Sequence, residues 1–382
     1  MGQQSKSVRL AAVQYSPAFL DLEGSIDKSA ALILEAGRSG ADIVGFPEGF
    51  IPTHPLWYHF HPASSPEAQA FSKRLAENSI VVPGPDVDAL CKAARNAGVF
   101  VVMGCCEREG GRLGTLYNTL LFINADGNLV GRHRKLVPTL GERLVHARGD
   151  AEGLRAYPTS VGLNVSGLMC GENSNALATY ALDAQGTNVH VASWPSHFQL
   201  GANISEIVQM VTRALAYQMK AFVINAVSVI NEEMLLSLPV TEQHRTYMAQ
   251  QGRGSSIIGP SGEFLAGPMG NEESILYADV DPRALVSPKV VQDFAGHYNR
   301  FDLLSLSLTR TVPRSIVTAA SDHDKDDTHS TASFATDLKY TSDPHGTSDA
   351  RRAVDHPESP PPPSAAASAP SSATRLPRRR AN

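Results

Sequence analysis

The chain has 382 residues, of which 42% are hydrophobic and 19% charged, and its 33 basic against 38 acidic residues give a formal net charge of −5. This composition is typical of a globular protein with a large core. The excess of acidic residues argues against a dedicated nucleic-acid-binding protein. No run approaches the roughly 18 apolar residues of a membrane-spanning helix. Four cysteines in so long a chain do not indicate a disulfide scaffold, and residues 1–7 are polar without a signal-peptide core, so we expect a cytoplasmic protein.

Up to about residue 315, apolar runs with strand-like or helix-like spacing alternate with turn residues. In chain order, the patterns predict a strand at 8–13, a helix capped by Ser25 and ended by Gly37 and Gly40, a strand at 41–46, a helix from Asp86 to Gly98, a strand at 99–104, a hairpin of 117–124 and 129 onward, a strand at 161–169, a helix at 173–185, a strand at 189–194, a helix with an apolar face over 204–215, a strand at 221–230 and a hairpin of 255–259 and 263–266. Strands that alternate with helices, together with hairpins, predict an α/β fold with mixed sheets.

The composition changes near residue 315. The segment beyond it contains a polar run at 321–333, a stretch rich in proline, alanine and serine at 357–374, and three arginines at 378–380. A segment with so little apolar surface cannot offset its ordering entropy by burial. We therefore predict a folded domain over 1–315 and a disordered low-complexity tail over 316–382.

A carboxylate follows the predicted strand at 41–46, in the segment Pro47-Glu48-Gly49-Phe50. Loss of water at such a strand end raises the pKa of a carboxyl group toward the range of a general base. An ordinary solvated glutamate in a loop fits the same residues, so the segment alone leaves both interpretations open.

A basic run, Arg132-His133-Arg134-Lys135, precedes the apolar residues 136–138. Four basic residues in a row normally form a solvated face of the protein. The apolar residues directly after the run favour a different placement, in which Lys135 turns inward. Glu142, seven residues further on, is then within reach as a charge partner if the loop folds back.

Cys170 lies between the predicted strand at 161–169 and the predicted helix at 173–185. A cysteine at a helix N-terminus has a lowered pKa and has backbone N–H groups nearby that bind an oxyanion, so this is a position for a nucleophile. A buried, inert cysteine is an equally good interpretation of the placement alone. Cys91, on the apolar face of the helix at 86–98, is expected to belong to the core.

Together these three segments resemble the nitrilase (carbon–nitrogen hydrolase) superfamily, which has a Glu–Lys–Cys triad in that chain order. The resemblance rests on PEGF at 47–50, KLVPTLGER at 135–143 and GLMCGEN at 167–173, and it covers nearly all of residues 8–310. The segments 192–195 (ASWP) and 293–306 (DFAGHYNRFDLLSL) resemble the nitrilase branch proper.

The resemblance implies a four-layer αββα sandwich with two mixed β-sheets, and a homo-oligomer such as a spiral of dimers. It implies no cofactor, no metal ion, and neither a nucleic acid nor a membrane as partner. The implied site residues are Glu48 as proton acceptor, Lys135 as proton donor and stabiliser of the intermediate, Cys170 as nucleophile, Glu142 as second carboxylate, the backbone N–H of Gly171, and Trp57, Tyr58 and Trp194 as substrate-binding residues.

The implied activity is hydrolysis of an organic nitrile to the carboxylic acid and ammonia through a covalent thioimidate and thioester on cysteine. Three alternatives stay open. A cyanide hydratase uses the same triad to convert hydrogen cyanide to formamide, and an amidase or carbamoylase belongs to the same superfamily. A catalytically silent scaffold is disfavoured because all four polar site residues are present. The histidines at 54, 59 and 61 lack the carboxylate spacing of a metal site.

Overall fold

A computed structural model describes residues 7–196, 204–248 and 253–310 of this protein. The predicted tail over 316–382 lies outside the described residues. The described strands are β1 (Val8–Gln14), β2 (Ile43–Gly45), β3 (Ile80–Val81), β4 (Phe100–Arg108), β5 (Leu116–Ile123), β6 (Leu129–Arg134), β7 (Tyr157–Pro158), β8 (Asn164–Met169), β9 (Val189–Trp194), β10 (Phe222–Val227), β11 (Ser256–Ile258), β12 (Phe264–Ala266) and β13 (Ser274–Val280).

The helices of the same residues fall between these strands. The α-helices are α1 (Leu22–Arg38), α2 (Pro66–Glu77), α3 (Pro85–Ala97), α4 (Ala176–Asp183), α5 (Ile204–Met219), α6 (Glu232–Ser237), α7 (Glu242–Met248) and α8 (Val286–Val291). Short 3₁₀ helices occupy Trp57–His59, Leu140–Leu144, Cys170–Ser174 and Pro282–Leu285. Across the described ranges, no helix has both the length and the hydropathy that a membrane crossing requires.

The strands form two mixed sheets. The first has the order β13-β1-β2-β4-β5-β6, with β3 also paired to β4, and the second has the order β12-β11-β10-β9-β8-β7. In the first sheet β1, β2 and β4 run parallel, whereas β13 and β5 pair antiparallel to their neighbours. In the second sheet β8, β9 and β10 run parallel and β11 pairs antiparallel with β10.

The alternation of side chains along each strand separates three layers of core. One face of each sheet turns toward the other sheet, and residues such as Leu10, Phe122, Val191 and Ile224 meet there in one buried cluster. Gly45 of β2 marks how closely the sheets approach, because a Cβ atom at this position would lie 2.7 Å from a methyl carbon of Val191.

The opposite faces of the sheets are covered by helices. The first sheet packs through its outer face against α1 and α3, where Ile33 and Leu90 are fully buried. The second sheet packs against α4 and α5 through Leu182 and Leu215. This helix–sheet–sheet–helix order is the αββα sandwich that the resemblance implies, so the predicted fold class is confirmed.

Most predicted elements are present, with shifted ends. Helix α1 begins three residues before the predicted cap, because Asp21 takes the N-cap position and accepts a hydrogen bond from the backbone N–H of Gly24, whereas Ser25 is buried inside the helix. The predicted helix over 173–185 is wrong at its start, where the 3₁₀ turn Cys170–Ser174 precedes α4. Strand β13 is not predicted by the sequence pattern.

Candidate active site

Glu48 follows the short strand β2 and lies between the two sheets. The chain after β2 continues beside β4: Phe46 N–H donates to Val102 O (2.9 Å) and Ile51 N–H donates to Gly104 O (3.2 Å). Gly104 is required here, since a Cβ atom would lie 2.0 Å from the carbonyl oxygen of Pro47. The side chain of Glu48 is buried, which excludes the solvated loop glutamate that the sequence left open.

Lys135 follows directly on strand β6 and turns inward, as predicted. Its backbone N–H donates to Asn118 O (2.8 Å), and its side chain is buried. The Nζ atom donates to Oε1 of Glu48 (2.7 Å) and to Oε2 of Glu142 (2.7 Å). The predicted charge partner Glu142 therefore contacts Lys135, together with the carboxylate that follows β2.

The other members of the basic run also contact carboxylates. Successive side chains of a strand point to opposite faces, so the two arginines share one carboxylate and the histidine between them contacts another. Arg132 and Arg134 donate to Glu107 (Arg132 Nη1 to Oε1 2.7 Å, Arg134 Nε to Oε2 3.0 Å). On the other face, His133 Nε2 lies 3.1 Å from a carboxylate oxygen of Glu172. The three cations of the run are thus held in ion pairs with carboxylates and do not form a purely solvated face.

Asn118 of β5 is a site residue that sequence reasoning missed. Its Nδ2 donates to Oε1 of Glu48 (2.6 Å) and to Oε1 of Glu142 (2.7 Å), so one amide bridges the two carboxylates. The only signal in the sequence is one amide side chain in a mostly apolar strand. His146 is a second addition, with Nδ1 3.1 Å from Oε1 of Glu142.

The environments of the two carboxyl groups push their pKa values in opposite directions. Burial raises the pKa of Glu48 to about 7, since the attraction of Lys135 is offset by the repulsion of Glu142. Burial also disfavours the charged form of Glu142, but Lys135 and the hydrogen bond from His146 outweigh it and hold the pKa of Glu142 well below its usual range. Burial opposes the ammonium charge as well, yet Glu48 and Glu142 raise the pKa of Lys135 well above its usual value.

The hydrogen bonds of the two carboxylates differ in the same sense. Both oxygens of Glu142 are used, Oε1 by Asn118 and His146, and Oε2 by Lys135 and by the backbone N–H of Thr139 (2.9 Å). Oε1 of Glu48 is also used, whereas Oε2 of Glu48 is buried and has no hydrogen-bond partner among the described residues. Glu48 therefore retains an oxygen that can accept a proton, and Glu142 does not.

Cys170 directly follows the C-terminal end of β8 and is the first residue of the 3₁₀ helix Cys170–Ser174. It is buried, and its φ of +48° lies in the left-handed region that side chains other than glycine rarely adopt. The pKa of the Cys170 thiol is raised to about 12, because burial and the charge of Glu48 outweigh Lys135 and the hydrogen bond from the Gly171 backbone. The lowered pKa that the sequence predicts is thus wrong, and the thiol at rest holds its proton.

A cavity of about 230 Å³ opens onto these groups. Lys135, Glu142, Cys170 and Gly171 line its floor, whereas Glu48 lies behind Lys135 and does not line it. The remaining lining residues are mostly apolar or aromatic: His54, Leu56, Tyr58, His59, Thr139, Leu140, Ser174, Trp194, Ile204, Ile207, Val208 and Val211. Four of them belong to the first eight residues of α5.

The three predicted substrate-binding aromatics are placed differently. Tyr58 and Trp194 line the cavity, and the Tyr58 hydroxyl lies 3.1 Å from Nε2 of His54. Trp57 does not line it. Its side chain is buried against Phe71 at a ring separation of 5.4 Å, and its indole N–H donates to Ser72 (3.2 Å). The structure therefore corrects the substrate-binding role for Trp57, which belongs to the core.

A metal ion has one conceivable place at this site, where ligand atoms of Glu48, His54 and Glu142 lie within 4.8 Å of one another. The Lys135 ammonium is 2.7 Å from an oxygen of each carboxylate. A cation of the protein itself thus neutralises the carboxylates, and a divalent ion beside it would meet strong repulsion. The donor set does not fit a resident metal ion.

Known proteins resemble this chain over most of its length. The family model of the carbon-nitrogen hydrolases matches residues 9–287. The chain is 38% identical over 304 residues to "Nitrilase 2" of an unknown prokaryotic organism, covering 80% of this chain and 93% of that protein. It is 36% identical over 332 residues to "Aliphatic nitrilase" of Rhodococcus rhodochrous, covering 84% and 88% of the two chains.

The solved structures agree on the fold. Saccharomyces cerevisiae Nit3, a member of branch 10 of the nitrilase superfamily, matches with a TM-score of 0.59 at 18% identity, over 76% of this chain and 95% of that chain. At this identity the likeness concerns the fold alone. The family match and the two relatives named nitrilase place the chain in the carbon–nitrogen hydrolase family, in the nitrilase branch.

Proposed function

We propose that this protein hydrolyses an organic nitrile to a carboxylic acid and ammonia. The observation that carries the proposal is one mostly apolar cavity lined by Cys170, Lys135 and Glu142, with Glu48 hydrogen-bonded to Lys135 behind them and the pKa values of the two carboxyl groups shifted in opposite directions. Two titratable groups whose environments separate their pKa values divide the acid–base roles between them. Glu48 is then the proton acceptor, and Glu142 is the second carboxylate that orients Lys135.

The first step forms a covalent thioimidate. Because the thiol holds its proton at rest, attack requires a base, and we assign this role to Oε2 of Glu48, which has no hydrogen-bond partner among the described residues. The Cys170 sulfur bonds to the nitrile carbon, one C–N π bond breaks, and Glu48 returns the proton to the nitrogen. Lys135 stabilises the negative charge that develops on this nitrogen.

The later steps use two water molecules. Glu48 takes a proton from the first water as its oxygen adds to the thioimidate carbon, and Lys135 and the backbone N–H of Gly171 stabilise the tetrahedral intermediate. The nitrogen gains this proton from Glu48. As the hydroxyl becomes the thioester carbonyl, its own proton also passes through Glu48 to the nitrogen, the C–N bond breaks, and ammonia leaves while a thioester remains on Cys170. The second water releases the acid and restores the thiol. If the C–S bond breaks before the C–N bond, the product is an amide.

The lining of the cavity favours a nitrile with an apolar substituent. A space of about 230 Å³ bordered by Ile204, Ile207, Val208 and Val211 exceeds what hydrogen cyanide needs, and burial of an alkyl or aryl group against these side chains adds binding free energy. This supports nitrile hydrolysis over the cyanide hydratase alternative. The relative from Rhodococcus rhodochrous that carries the name aliphatic nitrilase is consistent with the same substrate class.

A substrate panel tests the proposal. The purified protein is incubated with cyanide, an aliphatic nitrile, an arylacetonitrile and an aliphatic amide, and ammonia, carboxylic acid and formamide are measured. Acid and ammonia from at least one organic nitrile, at a rate well above that with cyanide, are expected. Formamide from cyanide as the main product would assign a cyanide hydratase, and turnover of the amide alone would assign an amidase.

Two further features of the proposal concern assembly and location. We propose a homo-oligomer, since helix α8 exposes Val286, Val290 and Val291, the last two by 70% and 67%, and exposed apolar patches of this kind favour association. A single monomeric species in light scattering at micromolar concentration would contradict it. We also propose a cytoplasmic location, because none of the four cysteines, all of which lie among the described residues, forms a disulfide; cell fractionation checks the location.

A further inference from the structure

The backbone of Cys170 is held in a conformation that its own side chain disfavours. Residues other than glycine pay a conformational cost at positive φ and keep it only where the surroundings fix them. Here Asn173 provides such a restraint, because its Nδ2 donates to Cys170 O (3.0 Å) and to Leu168 O (3.3 Å). Both partners are carbonyl oxygens and can only accept, so the amide orientation of Asn173 is defined.

The orientation of Asn173 in turn defines the tautomer of His190. Oδ1 of Asn173 lies 2.9 Å from Nε2 of His190, and since an amide oxygen can only accept, Nε2 carries the hydrogen. Burial lowers the pKa of His190 to about 3, so the ring is neutral. Nδ1 therefore accepts, and its donor is the hydroxyl of Ser166 at 2.9 Å.

A second hydroxyl closes this chain of hydrogen bonds. Thr187 Oγ1 lies 3.0 Å from Ser166 Oγ and 2.9 Å from Leu182 O. Ser166 and His190 face each other across β8 and β9, where they are paired in register. All of these side chains are buried and none lines the cavity, so they neither touch the substrate nor exchange protons with it.

We propose that His190 and Asn173 are positioning residues that hold the Cys170 turn in its left-handed conformation and thereby aim the thiol at the cavity. This inference rests on the proposed role of Cys170 as nucleophile. A nucleophile that is displaced by about 1 Å loses up to about 100-fold in rate, although the substrate still binds. The expected signature is a loss in kcat with little change in KM.

Two substitutions at His190 separate positioning from packing. His190→Gln carries an amide N–H close to the place of Nε2, so it can still donate to Asn173. His190→Asn is too short to reach Asn173 and replaces only the Nδ1 side of the ring. We expect His190→Asn to lower kcat by about 10- to 100-fold with KM within about twofold, and His190→Gln to retain kcat within about threefold.

A second readout does not depend on turnover. The rate of Cys170 alkylation by iodoacetamide, followed by mass spectrometry of the Cys170 peptide, is expected to change in His190→Asn and to match the wild type in His190→Gln. Thermal unfolding by circular dichroism checks that both variants are folded. If His190→Asn does not fold, His190→Met, which fills the volume without a donor, takes its place in the same comparison.

The outcome distinguishes this inference from the proposed function. A folded His190→Asn or His190→Met variant with the kcat and alkylation rate of the wild type would overturn the positioning role, as would equal losses in the glutamine and asparagine variants. Cys170→Ala is assayed in parallel. If that variant turns over the nitrile, the role of Cys170 itself fails, whereas its inactivity beside a normal His190→Asn would reject only the inference made here.

Discussion

Glu48 and Glu142 contact the same Lys135 ammonium and the same Asn118 amide, but only Glu142 has both oxygens hydrogen-bonded. Burial raises the pKa of Glu48 to about 7, because Lys135 and Asn118 stabilise its charged form too little to offset the loss of water. Lys135 and the hydrogen bond from His146 stabilise the charge of Glu142 more than burial disfavours it, so the pKa of Glu142 is lowered. The distinction depends on individual hydrogen bonds, and it therefore leads to predictions about single side chains.

The pH dependence of kcat/KM tests the assignment of Glu48. A general base acts in its ionised form, so activity is absent while Glu48 is protonated and rises as the pH passes through its pKa of about 7. The hydrogen bond from Asn118 stabilises the ionised form. In Asn118→Leu the pKa of Glu48 rises further, and the ascending limb of the profile moves to higher pH.

A buried asparagine elsewhere provides the matched control for Asn118→Leu. Asn225 of β10 is equally buried, and its Nδ2 donates to Gly254 O (2.9 Å) and to Ser256 Oγ (3.0 Å). Asn225→Leu is expected to lower the melting temperature without moving the limb. A profile that stays flat down to pH 5 in the wild type, or a limb that Asn118→Leu leaves in place, would contradict the role of Glu48.

Lys135→Arg tests whether the shape of the cation matters as well as its charge. A planar guanidinium on a longer stem cannot take the ammonium position 2.7 Å from both carboxylates and still face the reacting nitrogen. We expect a loss of about 2.7–4 kcal/mol in transition-state stabilisation, the size seen when one oxyanion donor is removed. Steady-state nitrile hydrolysis measures this loss.

Lys73→Arg is the control, because the side chain of Lys73 is 75% exposed and pairs with Glu77 on the surface of α2. It should leave the rate unchanged. Wild-type turnover by a folded Lys135→Arg variant would show that Lys135 has no role in catalysis.

The sequence predicts some of these residues and misses others for a physical reason. Glu48 and Cys170 each follow an apolar run at the end of a strand, and Lys135 lies between a basic run and the apolar residues 136–138, so all three positions are unusual enough to be noticed. Asn118 lies inside a strand, where the pattern does not distinguish a bridging amide from any other polar residue. Trp57 has a suitable side chain for a substrate pocket, but the 3₁₀ turn directs it into the core.

Among the elements, helix α5 has the most direct effect on the substrate. The sequence predicts an apolar face over 204–215, and the structure divides this face between the core and the cavity. Leu215 and Ala216 pack into the protein, whereas Ile204 and Ile207, near the N-terminal end, border the cavity and Ile207 is partly exposed. Helical periodicity identifies the face but does not tell whether protein or substrate covers it.

Ile207→Ala is therefore expected to change the choice of substrate more than stability. Removing a partly exposed side chain costs little unfolding free energy, and the enlarged cavity accepts a bulkier nitrile. The ratio of kcat/KM for 3-phenylpropionitrile to that for propionitrile should rise about tenfold, the scale of discrimination that a hydrophobic pocket gives for small changes in size. Both rates are measured under the same conditions.

Met210→Ala is the control on the same helix. Met210 is exposed and borders a separate surface groove, not the cavity with Cys170. The ratio should not change in this variant. An unchanged ratio in Ile207→Ala would instead mean that α5 does not contact the substituent of the nitrile.

In the whole molecule, the site exists because the two sheets pack face to face. Glu48 and Lys135 follow strands of the first sheet, and Cys170 follows a strand of the second. The sequence predicts the strands from local patterns, but the distance between strand ends in different sheets depends on contacts such as that of Gly45 with Val191, which are distant in sequence.

Dependence on contacts between residues distant in sequence also explains why the sequence pattern does not predict strand β13. It pairs with β1 over the whole length of β1, from Val8 with Val280 to Gln14 with Ser274, although the two strands lie about as far apart in the chain as the folded part allows. Most residues of β13 are only partly buried, so its sequence lacks the clear apolar pattern that identifies the other strands. The class of the fold could thus be predicted from local sequence, while the closing strand and the geometry of the site required the tertiary structure.

The central claim is that Cys170 carries the substrate as a covalent intermediate. The most direct measurement is mass spectrometry of protein that is acid-quenched during turnover of a nitrile, followed by digestion to locate the adduct. The account predicts a mass increase that corresponds to a thioimidate or thioester on the Cys170 peptide in the wild type and in Cys91→Ala, whose cysteine lies in the core. It predicts neither adduct nor turnover in Cys170→Ala. An adduct on another residue, or nitrile hydrolysis by Cys170→Ala, would contradict it.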